Sequence, residues 1–91
     1  MSRGRSGDGE AAFRIYQMYD LGLGRKKKAI EWLVMAANNG HGVAAYNLAY
    51  DFYYHRSDAR SAAVWWSIAA QRGEKKAEEM LRTLALDNPY R

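Results

Sequence analysis

Side chains able to do chemistry are few in this 91-residue chain, and they are poorly grouped. His41 and His55 stand at expected turns, with no second histidine or carboxylate at metal-ligand spacing, which argues against a metal site. Asp51 falls inside one expected helix and Asp58 opens the next, so the two do not form an acid–base pair. Ser57 and Ser61 have no base positioned beside them, and Glu78-Glu79 reads as an exposed helix face. The sequence therefore predicts no catalytic residue, no metal and no cofactor, and the chain is expected not to be an enzyme.

What remains is a surface suited to holding another molecule. At 100° per residue over positions 42–54, Ala45, Leu48 and Phe52 form the stripe that meets a partner helix. Tyr46, Tyr50 and Tyr53, flanked by Tyr54, form a second stripe roughly opposite, and only Asn47 and Asp51 interrupt the apolar circumference. Tyrosine gives a large contact area and a polar tip at low entropic cost, which suits recognition. Phe13, Gln17 and Asp20 hold corresponding positions on the first helix and extend the surface. The expected binding set is thus Phe13, Gln17, Asp20, Tyr46, Asn47, Tyr50, Asp51, Tyr53 and Tyr54, with rings supplying contact and Gln17, Asn47 and Asp51 setting orientation. Packing of the third helix between its neighbours competes for the same tyrosines.

Composition limits the partners. The formal charge is +4, and residues 9–91 hold 12 Lys+Arg against 9 Asp+Glu, leaving +3. That is a weak pull on polyanions, so the run Arg25-Lys26-Lys27-Lys28 reads as a solvated helix start rather than a nucleic-acid site. The run still places cations where a helix dipole disfavours them, a small penalty that hints at use. No cysteine is present, which excludes disulfides and thiolate metal sites. No apolar stretch is long enough to span a membrane, and residues 1–8 lack the apolar core of a secretory signal. The default compartment is the cytoplasm, or the periplasm if a signal peptide has been removed.

The elements that must position this surface come from an internal repeat. Ala29-x-x-Trp32-Leu33-x-Met35-Ala36-Ala37-x-x-Gly40 returns 33 residues later as Ala62-x-x-Trp65-Trp66-x-Ile68-Ala69-Ala70-x-x-Gly73. Upstream, Ala11-Ala12-Phe13-x-Ile15 maps onto Ala44-Ala45-Tyr46-x-Leu48, and Ala77 and Leu81 continue the series. A period of this length with helical spacing inside it predicts stacked helix pairs. The reading is all-α: a short α-solenoid of antiparallel helix pairs, with two repeats (9–40 and 42–73) and a capping helix (74–86). A disordered basic leader (1–8) precedes it and a tail (87–91) follows. Helices are expected over about 9–21, 25–39, 42–54, 58–72 and 74–86. Gly22-Leu23-Gly24 closes the first, Gly40 and Gly73 close the second and fourth, and Ser57 or Asp58 caps the start of the fourth. Pro89 ends the structure. Trp32 and Trp65 are expected to fill space beside the paired alanines at a truncation cost of roughly 3–5 kcal/mol.

These residues resemble the Sel1-like repeats, relatives of the tetratricopeptide class. Lys28-Ala29-x-x-Trp32-Leu33-x-x-Ala36-Ala37-x-x-Gly40 follows the second half of that family's unit, and Ala62 to Gly73 follows it again. Ala11, Ile15, Tyr19, Gly22 and Gly24 match the first half and the turn. The resemblance covers residues 9–86. It implies a protein or peptide partner held on a concave helical face, in the manner of a bacterial adaptor or regulator. Some small relatives implied by the same resemblance are immunity proteins that neutralise secreted toxins. A further alternative is an enzyme or a binder of cell-wall fragments, though the activity of cysteine-rich relatives does not carry over to a chain without cysteine. Weak self-association through Phe13 and Tyr16 of the first helix is also expected.

Overall fold

A computed structural model describes residues 2–19 and 25–87, with side chains for 8–19 and 25–85, and shows an all-α chain. Among the described residues there are five helices and no strand: α1 Ser2–Gln17, α2 Lys26–Asn38, α3 Gly42–His55, α4 Ala59–Gln71 and α5 Lys75–Asp87. Each packs chiefly against the next in sequence. The Cα atoms fill a slab of 40 × 32 × 16 Å. Its thin dimension matches two helix layers, since axes about 8–10 Å apart plus two backbone radii of about 2.3 Å give roughly 13–15 Å.

Element boundaries fall within two residues of the expected ones for α2 to α5. The start of α1 does not. Its backbone is already helical at Ser2, where the Gly/Ser-rich leader was expected to be disordered. Once the segment from Gly9 onward is helical and packed, adding turns escapes the nucleation cost that an isolated leader would face. The Gly22–Gly24 turn, Asp20 and the Pro89 stop lie outside the described residues.

The ends of the helices follow local chemistry. Asp58 caps α4 by accepting the Ser61 N–H at 3.0 Å, which selects it over Ser57. Ser57 instead adopts a left-handed backbone (φ 53°) and turns the chain between α3 and α4. At the other ends, Gly40 and Gly73 take positive φ values of 94° and 99°, so the carbonyls of Ala36 and Ala69 receive the N–H groups of His41 and Glu74. A side chain at either glycine would be strained in that conformation.

Burial repeats at the same 33-residue offset. Ala29 and Ala62, Ala36 and Ala69, Ala44 and Ala77, and Ala12 and Ala45 are all enclosed. The small residues let the helix backbones approach closely, and the large buried side chains fill what is left. Those large side chains are Leu33, Leu48 and Trp66. Trp32 and Trp65 do occupy matching places against the core, but both are half-buried. The enclosed pair is one residue further on, Leu33 and Trp66, because a single-residue step turns the helix 100° and only the later position points at the alanine seams. Ala11, by contrast with Ala44 and Ala77, is exposed.

Candidate functional site

Helix α3 supplies most of one groove. Tyr46, Asn47, Tyr50, Asp51 and His55 line one wall, and Tyr16 from α1 with Lys26, Ile30 and Leu33 from α2 complete it. The space amounts to about 300 Å³, at the lower end of ligand-binding clefts. Residues 46, 47, 50 and 51 share a helix face, so α3 presents two rings, an amide and a carboxylate in a row.

The tyrosine row divides in two. Tyr50 and Tyr54 are exposed, at 44% and 52%, and touch in a tilted arrangement with centroids 4.4 Å apart. Tyr46 and Tyr53 are half-buried against the Trp66 ring, at 6.3 and 5.7 Å between centroids. Burial raises the Tyr46 phenol above its ordinary pKa, helped by Tyr50, Tyr54 and the carboxylates of Glu79 and Glu74. The row is therefore half core and half surface, and Tyr53 and Tyr54 lie outside the groove lining.

Asn47 is half-buried in the groove, and its amide makes no hydrogen bond to the described residues. Asp51 is the reverse case. It is 8% exposed, its Oδ1 accepts from His55 Nδ1 at 2.9 Å, and Arg56 Nε lies 3.0 Å from Oδ2. The Arg56 approach is close enough for an ion pair but is not aligned as a hydrogen bond, since Oδ2 has no hydrogen-bond partner. The carboxylate is thus engaged on both oxygens, by a hydrogen bond from His55 and by the Arg56 cation.

On α1 the expected set is scattered. Phe13 is half-buried and stacks on the His41 ring at 4.4 Å and 20°. That contact covers part of the Phe13 ring. Tyr16, at 5.4 Å from Phe13, turns into the groove. Gln17 is exposed outside the groove lining, and Asp20 lies beyond the described residues.

Two histidine–carboxylate pairs correct the expectation that neither histidine has a carboxylate placed to meet it at ligand spacing. His55 pairs with Asp51 one helical turn earlier, a spacing legible in the sequence. His41 pairs with Glu10, 31 residues away, at 2.9 Å. His41 Nδ1 also accepts the Ala44 N–H and caps α3. That bond assigns the ring proton to Nε2, which donates to Glu10 Oε1. The His41 bond holds the Glu10 carboxyl below its usual pKa, with Arg14 adding to the effect. Neither pair gathers a third ligand: no group of three or more histidines or carboxylates capable of holding a metal exists among the described residues.

The basic run contributes one wall. Lys26 lines the groove, Lys28 pairs with Glu31 at 3.8 Å, and Arg25, Lys26 and Lys27 make no ion pair with the described residues. Arg25 sits at the N-cap of α2 without a side-chain capping bond. Among the described residues no helix is long and apolar enough to cross a membrane. Sequence reasoning missed Tyr16, Lys26, Ile30, Leu33 and His55 as groove residues, because their convergence depends on how α1 and α2 lie against α3. No protein-family model, curated protein or solved structure matches this chain.

Proposed function

We propose that this chain is a non-enzymatic interaction module, a short helical-repeat adaptor of the Sel1-like kind, that holds a peptide segment of a partner protein. The repeat supports the family reading: equivalent alanines, equivalent positive-φ glycines and equivalent helix ends recur 33 residues apart. One observation carries the peptide reading. The Asn47 amide, with a donor and an acceptor that no described protein group satisfies, stands between Tyr46 and Tyr50 in a groove of about 300 Å³. Such an amide complements the N–H and C=O of a peptide bond, and the flanking rings suit an apolar side chain beside it.

The groove offers no nucleophile held by a base, and its carboxylate is occupied by His55 and Arg56. Binding is the function these groups serve. The test is selection of displayed random peptides on the purified protein, followed by calorimetric titration of the enriched sequences. Tyr50→Ala and Asn47→Leu are expected to weaken binding roughly tenfold each while shifting unfolding free energy by no more than about 0.5–1 kcal/mol. Failure to enrich any peptide, or a Tyr50→Ala protein that loses cooperative unfolding, overturns the proposal.

A further inference from the structure

The groove carries a directional charge pattern that narrows its occupant. Lys26 lines it at the α2 N-terminus, with Arg25 and Lys27 adjacent and unpaired among the described residues. His55 lines the same end of α3, and Arg56 there offsets the Asp51 charge. Because α2 runs into α3 through a three-residue turn, the start of α2 lies beside the end of α3. At the other end of the tyrosine row the charge is of opposite sign: Glu79 and Glu74 act on Tyr46. Lys75 and Lys76 open α5 between them in sequence, so that end is mixed rather than strongly acidic.

We infer that the occupant is an acidic peptide, with one large apolar side chain seated among Tyr16, Ile30, Tyr46 and Tyr50 and its aspartate or glutamate residues lying on one flank, over Lys26. The inference rests on the peptide-binding reading of the groove. The apolar anchor follows from the lining and the volume, which suit one large side chain with its adjoining peptide bonds. Asn47 takes the peptide bond beside the anchor. Lys26 takes a carboxylate, which its flexible ammonium group meets as a point charge. A nucleic acid fits less well. Among the described residues Lys26 is the one lysine or arginine that lines the groove, whereas a phosphate backbone needs a stripe of cations.

The experiment uses four synthetic ten-residue peptides sharing one leucine or tryptophan anchor: serine/glycine flanks, acidic on the N-terminal flank, acidic on the C-terminal flank, and lysine flanks. Titration is run on the intact protein and on Lys26→Ser and Lys75→Ser. One of the two acidic peptides is expected to bind about five- to twentyfold tighter than the neutral one, from one to two charge pairs near the protein surface. The advantage shrinks as salt rises from about 0.05 to 0.5 M, as the screening length falls. Lys26→Ser removes most of the acidic peptide's advantage over the neutral one, whereas Lys75→Ser, on a helix that does not line the groove, leaves both affinities unchanged. Equal affinity for neutral and acidic peptides, or a preference for lysine flanks, overturns the acidic assignment while leaving the peptide groove standing. A duplex oligonucleotide that binds more tightly than either acidic peptide overturns it in favour of a phosphate ligand. No binding by any peptide removes both the inference and the groove reading beneath it.

Discussion

Trp66 offers the sharpest test of how the core is built. It is fully enclosed, and its indole N–H meets no acceptor among the described residues. Truncation to alanine removes the largest buried side chain, at an expected cost of about 3–5 kcal/mol. A 91-residue domain has roughly 5–14 kcal/mol in total, so Trp66→Ala removes a large fraction of the stability. Trp66→Phe behaves differently. It gives up about 1–3 kcal/mol of packing but also releases a buried donor whose unmet hydrogen bond costs about 1–3 kcal/mol. The two nearly cancel, and the expected net change lies within about 1.5 kcal/mol of the parent. Trp32→Ala and Trp65→Ala, at half-buried sites, fall between, at about 1–3 kcal/mol. Urea unfolding followed by far-ultraviolet circular dichroism reads all four without relying on tryptophan emission, and a common slope with denaturant keeps the comparison valid. A Trp66→Phe protein as unstable as Trp66→Ala would refute the reasoning, since the indole nitrogen would then be stabilising rather than unsatisfied.

Two further outcomes are expected. His41→Ala loses the α3 cap, about 1 kcal/mol, and the stacking on Phe13, about 0.5–1.5 kcal/mol. His41→Asn keeps an acceptor for the Ala44 N–H and restores about half of that loss; thermal melts of the two variants decide it, and equal melts would exclude the cap. Asp58 gives a pH signature: the N–H of Ser61 holds its carboxyl below the ordinary carboxylate value. Folding therefore favours the ionised form, so this contribution is complete above the unfolded pKa of about 3.9 and is lost as the pH falls through the lower folded value. Asp58→Asn should flatten the acid side of the stability profile while leaving neutral stability nearly unchanged, because asparagine also caps.

The parts of the fold that were legible from residue order are those fixed by short-range physics. Gly40 and Gly73 announce their turns because few other residues accept positive φ, and Asp58 announces its cap. The alanine seams are legible because the same spacing occurs twice. The phase of the tryptophan pair was not. In Trp65-Trp66 both residues are apolar, and which one points inward depends on a rotation of the helix that only its neighbours set. The groove was half legible. Tyr46, Asn47, Tyr50 and Asp51 follow from the period of α3, whereas Lys26 and Ile30 join them through the lie of α2. Tyr53 went to the core because Trp66 stands beside it. The His55–Asp51 pair could have been found at its four-residue spacing, but nothing in the chain announces His41 with Glu10.

Arg72, the last link of α4, reaches back to the end of α2. Its guanidinium donates to the Ala37 carbonyl at 2.7 Å and to the His41 carbonyl at 3.3 Å, and burial lowers its pKa. A row of helices that touch only their neighbours can fray from either end, one pair at a time. This crosslink works against that. Opening the α4 terminus removes a charged donor from two carbonyls at the α2–α3 corner, which keep only their backbone partners Gly40 and Ala45, so the penalty is felt one hairpin away. Amide hydrogens at Ala36 to His41 and at Ala69 to Glu74 should then exchange with solvent as one group, and the molecule should lose its two corners together rather than in turn.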